Sequence, residues 1–181
     1  MPPAIFNITE PLWKDVSLWK RIPYKIVEKY AWYISVINSL EYLIFPVTRQ
    51  GNSIFYSARK LSSGEGLKYI YPKNVKRSPW ISDDGLSEPI VICEGVADAA
   101  YTSQLASSIA LLGNYYDVSL DEMLKGKKVI LALDGDTIGL ISSIRIYSYL
   151  QKLCNVSIHT FPENKEPVDF ELSELKEELG L

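Results

Sequence analysis

Cysteine and histidine are nearly missing from this chain of 181 residues, which has two cysteines, Cys93 and Cys154, and one histidine, His159. So small a supply excludes both a zinc cluster and a disulfide framework. Cys93 sits in an apolar run and Cys154 near the end of a helical pattern, so buried free thiols are expected. His159 alternates with Ile158 and Thr160 in a strand-like stretch and reads as structural filler rather than as a ligand. No apolar run is long enough to cross a bilayer, and Met1-Pro-Pro-Ala-Ile-Phe6 lacks the plan of a secretory signal. The expectation is an intracellular, cytoplasmic location (a bacterial host's cytoplasm if the chain is viral) with no membrane partner. Internal repeats and low-complexity tracts are also missing.

What is present is a large apolar fraction and an uneven distribution of charge. Hydrophobic residues make up 47% of the chain, enough for one domain of ordinary size or two small ones sharing a core. Net charge is only −3, but from Met1 to Glu88 there are 12 Lys and Arg against 8 Asp and Glu, and from Pro89 to Leu181 only 7 against 14. A front half of +4 joined to a back half of −7 suits a phosphate-contacting surface combined with a cation-binding one.

The back half is organised around Lys128-Val-Ile-Leu-Ala-Leu-Asp-Gly-Asp136. Its apolar run, Val129 to Leu133, reads as a short strand buried on both faces, followed directly by a helical pattern. Asp134 and Asp136 therefore fall at the carboxyl end of a strand, where open α/β sheets place ligands. The same plan occurs in Pro89-Ile-Val-Ile-Cys-Glu94-Gly95 and the alanine-rich helix former that follows, roughly 40 residues earlier, as neighbouring βα units would place it. Carboxylates crowded at two strand ends repel each other unless a cation sits between them, and a hard ion such as Mg²⁺ suits them. Asp98 lies one helical turn beyond Glu94 and is expected to face the same crevice.

These residues carry a resemblance. Cys93-Glu-Gly-Val-Ala-Asp98, Ala110-Leu-Leu-Gly-Asn114 and Leu133-Asp-Gly-Asp-Thr-Ile-Gly139 resemble the TOPRIM domain of DnaG-type bacterial and phage DNA primases. Downstream, Asn164-Lys-Glu-Pro-Val-Asp169 is similar to the Lys-Asp-Pro-Asp segment of those primases. Upstream, Ser57-Ala-Arg-Lys-Leu61 and Leu67-Lys-Tyr-Ile70 resemble the Gly-Arg and Pro-Lys-Tyr segments that precede TOPRIM in them. The resemblance covers most of the chain from about Tyr42 onward; a single Asp-x-Asp is weak, but motifs in this order and spacing are specific.

The resemblance implies an α/β fold: a parallel βα TOPRIM sheet over residues 87–181, preceded over residues 1–86 by a small mixed α+β basic subdomain. It implies primer synthesis by nucleotidyl transfer on single-stranded DNA, with Glu94, Asp134 and Asp136 as catalytic residues. Mg²⁺ or Mn²⁺ would be held by Glu94, Asp98, Asp134, Asp136, Glu166 and Asp169. Arg59 and Lys68, with Tyr69 beside them, match groove residues that contact nucleotide and template; Lys73, Lys76 and Arg77 follow closely, match no motif residue, and read either as a solvated loop or as added pull on a nucleic-acid backbone. Expected partners are a single-stranded DNA template, nucleoside triphosphates, and a helicase or a separate template-recognition protein.

The chain departs from the family pattern in two ways. Glu166 stands where the family has its first Asp and Val168 where the second acid would be, with Asp169 one step on. No zinc-binding module and no P-loop helicase accompany the motifs. Two alternatives stay open: a TOPRIM-fold nuclease, and a non-catalytic nucleic-acid-binding replication adaptor.

In finer detail, Pro11 and Pro23 are expected to break residues 1–33 into short helices, with Trp13, Val16 and Trp19 at helical spacing for core packing. Tyr42–Val47 and Ser53–Ala58 read as a hairpin around Gln50-Gly-Asn52, and Ser78–Pro89 as a linker. Ser119 is expected to cap a short helix near Leu120–Leu124. The helix over Ile138–Leu153 is expected to turn Leu140, Ile141, Ile144, Tyr147 and Leu150 to one face, and a charged helix is expected over Leu172–Leu179.

Overall fold

A computed structural model describes residues 1–3, 6–15 and 21–181, which form two compact units, Met1–Ser78 and Pro79–Leu181. The expectations for Val16 and Trp19 lie outside the described residues. No helix among the described residues is long and apolar enough to cross a membrane.

The N-terminal unit begins with β1 (Phe6–Asn7), α1 (Glu10–Asp15) and α2 (Tyr24–Lys29). The two helices are short, as expected, and Pro11 sits in the first turn of α1, where a missing N–H costs nothing. Pro23 is the N-cap of α2. Trp13 is buried, donates Nε1–H to the Ile22 carbonyl at 2.6 Å and meets Trp32 edge-on at 5.9 Å. Trp32 in turn meets Phe45 at 4.6 Å, so these aromatics are core rather than a surface for bases.

The unit's sheet continues with β2 (Tyr33–Ile37), β3 (Leu40–Arg49), β4 (Asn52–Lys60) and β5 (Tyr69–Ile70), antiparallel in the order β1-β2-β3-β4-β5. The β3–β4 hairpin turns at Gln50 and Gly51, both at positive φ (49° and 76°), the two-residue turn whose twist matches the flanking strands. β4 and β5 pair so that Arg59 lies directly opposite Tyr69.

The C-terminal unit is a second five-stranded sheet. Its elements are β6 (Trp80–Ile81), β7 (Ile90–Cys93), α3 (Val96–Thr102), β8 (Ser107–Ala110), α4 (Asp121–Leu124), β9 (Lys128–Leu131), α5 (Thr137–Leu150), β10 (Asn155–Ile158) and α6 (Leu172–Glu178). The order is β10-β9-β7-β8-β6, all parallel except the antiparallel edge strand β6. The stretch read as a linker thus carries a strand of this sheet. β7 is buried along its whole length, and each apolar side chain so enclosed contributes roughly 1.5–3 kcal/mol.

Two local expectations are corrected. The turn before α4 is capped by Asp117, whose carboxylate accepts from the Ser119 N–H at 2.9 Å; Ser119 supplies the donor. In α5 the buried face is Gly139, Ser142, Ser143, Ile146 and Leu150, whereas Leu140, Ile141 and Ile144 are 43%, 51% and 52% exposed. The reason is the close approach of the helix to the strand end. A Cβ on Gly139 would collide with the Asp134 carbonyl, so small residues face inward and the larger apolar ones remain outside.

Candidate metal centre

Parallel strands set the site's position. β7 and β9 are neighbours, with Ile92 opposite Leu131 and the Ala132 N–H donating to the Ile92 carbonyl at 2.8 Å. The carboxylates that follow these strands, Glu94 and Asp134, therefore emerge at one edge of the sheet. Glu94 is half-buried, and its carbonyl accepts from the backbone N–H groups of Leu112 and Gly113 at 3.0 and 3.4 Å.

The Asp134-Gly-Asp136 turn is shaped by a third segment. Gly135 donates its N–H to the Lys165 carbonyl and accepts from the Asn164 N–H, both at 2.8 Å. A side chain at Gly135 would meet the carbonyl oxygens of Pro162, Lys165 and Phe161, so glycine is the residue that lets this segment dock. Asp136 is exposed and caps α5: its Oδ1 accepts from the Gly139 N–H at 2.6 Å. The spacing Asp-Gly-Asp-x-x-Gly is thus explained by backbone packing at the two glycines and a cap at the second acid.

The docked segment continues as a single 3-10 turn, Pro167–Asp169, against α3. Its Val168 N–H donates to Asp98 Oδ1 at 3.4 Å, and the Phe170 carbonyl accepts from the Tyr101 hydroxyl at 2.9 Å. Asp169 is exposed, and its Oδ2 accepts from the Glu166 N–H at 3.1 Å.

These contacts bring together Asp98, Asp134 and Glu166, each offering a carboxylate oxygen within 4.8 Å of the others. Glu94, Asp136 and Asp169 lie outside that group of three, although Glu94 shares the sheet edge. Asp98 is only 4% exposed. Burial first, then the charges of Glu166 and Asp134, hold its pKa well above the ordinary carboxyl value. The Cys93 thiol is likewise pushed up, by burial and then by Asp98, and packs against Thr102 at 3.9 Å, as expected of an inert buried thiol.

Three convergent oxygens drawn from α3, the β9–α5 turn and the docked segment match a hard divalent cation, which takes carboxylate ligands.

Beside this group opens a cavity of about 360 Å³, lined by Asp134, Asp136, Leu140, Ser143, His159 and Asn164 among others. His159, read from the sequence as filler, lines this cavity. Its imidazole lies 3.5 Å from Glu178, and burial lowers its pKa more than that carboxylate raises it.

In the N-terminal unit the expected nucleic-acid contacts form a compact group. Arg59 Nη1 donates to the Tyr69 hydroxyl at 2.5 Å with its guanidinium 5.0 Å from the ring centre, and Lys68 Nζ lies 5.9 Å from that ring. Lys68, Lys73 and Arg77 are exposed. Lys60, which the sequence reading passed over, is 8% exposed and donates to the carbonyls of Gly64 and Glu65 at 2.5 and 2.6 Å, tying down the loop between Arg59 and Lys68.

No protein-family model matches the chain, and neither does any curated protein sequence. Solved structures do match. The chain is similar to the zinc-binding and RNA polymerase domains of the Aquifex aeolicus primase, with a TM-score of 0.71 at 17% identity over 95% of this chain and 55% of that one. It is similar to the primase fragment of the bacteriophage T7 primase-helicase protein, with a TM-score of 0.60 at 15% identity over 88% of this chain and 70% of that one. A third match, with a TM-score of 0.67 at 16% identity over 88% and 87% of the two chains, comes from bacteriophage T7 lagging-strand DNA polymerase interacting with primase domains of two gp4 subunits bound to an RNA/DNA hybrid and dTTP. The fold is therefore the α/β, TOPRIM-like fold of primase domains, and this chain spans about half the length of the Aquifex chain it matches.

Proposed function

We propose that the chain is a primase catalytic core: a nucleotidyltransferase that makes short primers on a single-stranded DNA template. The observation that carries this reading is the convergence of Asp98, Asp134 and Glu166 at the carboxyl edge of a parallel sheet, within a fold shared with primase domains.

In primer synthesis a 3′-hydroxyl attacks an α-phosphate in line and pyrophosphate leaves, so a protein serves chiefly by positioning reactants and offsetting negative charge. Asp98, Asp134 and Glu166 would hold Mg²⁺ or Mn²⁺, which when bound supplies positive charge to a triphosphate. Glu94, half-buried at the neighbouring strand end, is assigned the proton of the attacking hydroxyl. Asp136 fixes the start of α5 and so the orientation of Asp134, and Asp169 fixes Glu166 through the backbone. Arg59, Lys68 and Tyr69 contact nucleotide and template phosphates, and Lys73 and Arg77 extend that basic surface. The proposed partners are a helicase or a separate template-reading protein; one structural neighbour is a fragment of a primase-helicase. The proposed setting is intracellular.

The test is incubation of the purified chain with a single-stranded template, labelled nucleoside triphosphates and Mg²⁺ or Mn²⁺. New labelled strands are expected. A shortened template would assign the same acids to a nuclease, and retention of the template without turnover would leave an adaptor.

A further inference from the structure

The basic surface of the N-terminal unit extends past Tyr69. Between Arg59 and Arg77 the chain carries six cations, Arg59, Lys60, Lys68, Lys73, Lys76 and Arg77, against one acid, Glu65. Tyr71 follows β5 directly. Its ring stacks on Phe55 with centres 6.1 Å apart and planes 22° apart. Phe55 is 2% exposed, so Tyr71 is anchored to the unit's interior.

Beyond Pro72 the chain reverses at Lys73 and Asn74, and Asn74 adopts the left-handed conformation (φ 59°) that Asn tolerates better than most residues. The reversal returns Arg77, whose guanidinium carbon lies 4.3 Å from the centre of the Tyr71 ring. A series therefore runs outward from buried Phe55 through half-buried Tyr71 to exposed Arg77. Lys73 and Lys76 are exposed on the same short segment.

Holding a long arginine over one ring sacrifices side-chain freedom in advance, so less is lost when a ligand settles on it. A planar guanidinium backed by an aromatic ring and flanked by ammonium groups suits an unpaired nucleobase with a phosphate on either side. Bases in a duplex are already stacked on each other, which directs the site to single strands.

We propose that Tyr71 and Arg77 form a base-stacking subsite for single-stranded nucleic acid, with Lys73 and Lys76 holding the adjoining phosphates. The proposal rests on the nucleic-acid reading given above and adds a contact to bases where that reading required only phosphates.

Fluorescence anisotropy with the full chain tests it, using two labelled DNA strands of equal length, one normal and one with abasic residues throughout. Both carry the same phosphates. The unaltered protein is expected to favour the base-bearing strand by roughly tenfold, the usual scale of one stacked base. Arg77→Lys keeps the charge but not the planar group, and is expected to bring affinity for the base-bearing strand down to that for the abasic strand. Tyr71→Leu, which retains an apolar contact with Phe55, is expected to do the same. Equal binding of both strands by the unaltered protein, or full preference retained in Arg77→Lys, overturns the stacking subsite while leaving primer synthesis standing. Binding of neither strand overturns the nucleic-acid reading itself.

Discussion

Replacing Asp98 by asparagine is expected to stabilise the metal-free protein and to remove its response to metal. Asp98 is 4% exposed and offers an oxygen within 4.8 Å of oxygens from both Asp134 and Glu166. Two like charges at that separation cost about 3 kcal/mol at an effective dielectric of about 20, so a fully ionised Asp98 would face roughly twice that. Burial first, and then those two charges, hold its pKa well above the ordinary carboxyl value. A carboxyl whose folded-state pKa is raised contributes stability that is fully present below the unfolded value and is lost as pH rises through the folded one. The unaltered protein should therefore lose stability with rising pH at a step that Asp98→Asn does not show.

Asparagine keeps the acceptor for the Val168 N–H, so the fold is preserved. With a chelator present and at alkaline pH, the variant should melt higher, by about 2–4 °C for each kcal/mol of repulsion relieved in a chain of this size. Adding Mg²⁺ or Mn²⁺ at about a hundred times its dissociation constant should reverse the order, since such binding stabilises the unaltered protein by about 2.7 kcal/mol. Differential scanning fluorimetry between about pH 5 and about pH 9, with chelator or metal, reads both effects. A variant less stable than the parent at alkaline pH without metal, or one keeping the full metal-induced rise, would refute the reasoning.

The remaining predictions follow from the same geometry. Asp134→Asn is expected to abolish nucleotide incorporation while leaving the circular dichroism spectrum intact; full activity would show that Asp134 holds no essential cation. Gly135→Ala forces a Cβ onto three carbonyl oxygens of the docked segment. It should cost about 1–3 kcal/mol in chemical denaturation and weaken metal binding, and an unchanged midpoint would mean that the segment is not held as described. Arg59→Ala and Lys68→Ala should each reduce the slope of log affinity against log salt for a DNA strand by about one. Unchanged slopes in both would make those residues structural. Lys60→Met removes the tie to Gly64 and Glu65 and should speed proteolysis within residues 62–66; equal cleavage rates would count against it.

The β7 and β9 strands and their carboxylates were legible because fully buried parallel strands are written as short apolar runs, and the acid after each must fall at the sheet's carboxyl edge. The hairpin was legible for a similar local reason, a Gln50-Gly51 turn between two apolar runs. Asp98 was placed by helical spacing, and it joins the group of three. What spacing could not fix was which other acids join it. Glu166 comes from a segment roughly 30 residues beyond Asp134, brought in by the backbone bonds of Gly135 to Lys165 and Asn164 and by the contacts of Val168 and Phe170 with α3. Asp136 and Asp169 look equivalent to their neighbours in sequence, yet they lie outside the group of three, Asp136 capping α5 and Asp169 holding the Glu166 N–H. The face of α5 was misjudged because periodicity assumes that large apolar residues turn inward, whereas close helix–strand approach at Gly139 reserves that face for small ones.

Crystals of the protein grown with Mn²⁺ and measured at the manganese absorption edge test the central assignment most directly. An anomalous peak bounded by the carboxylates of Asp98, Asp134 and Glu166, and lost in Asp134→Asn, is the expected result. Manganese bound by Glu94 and Asp136 without Asp98, or no peak at that edge of the sheet, would contradict it.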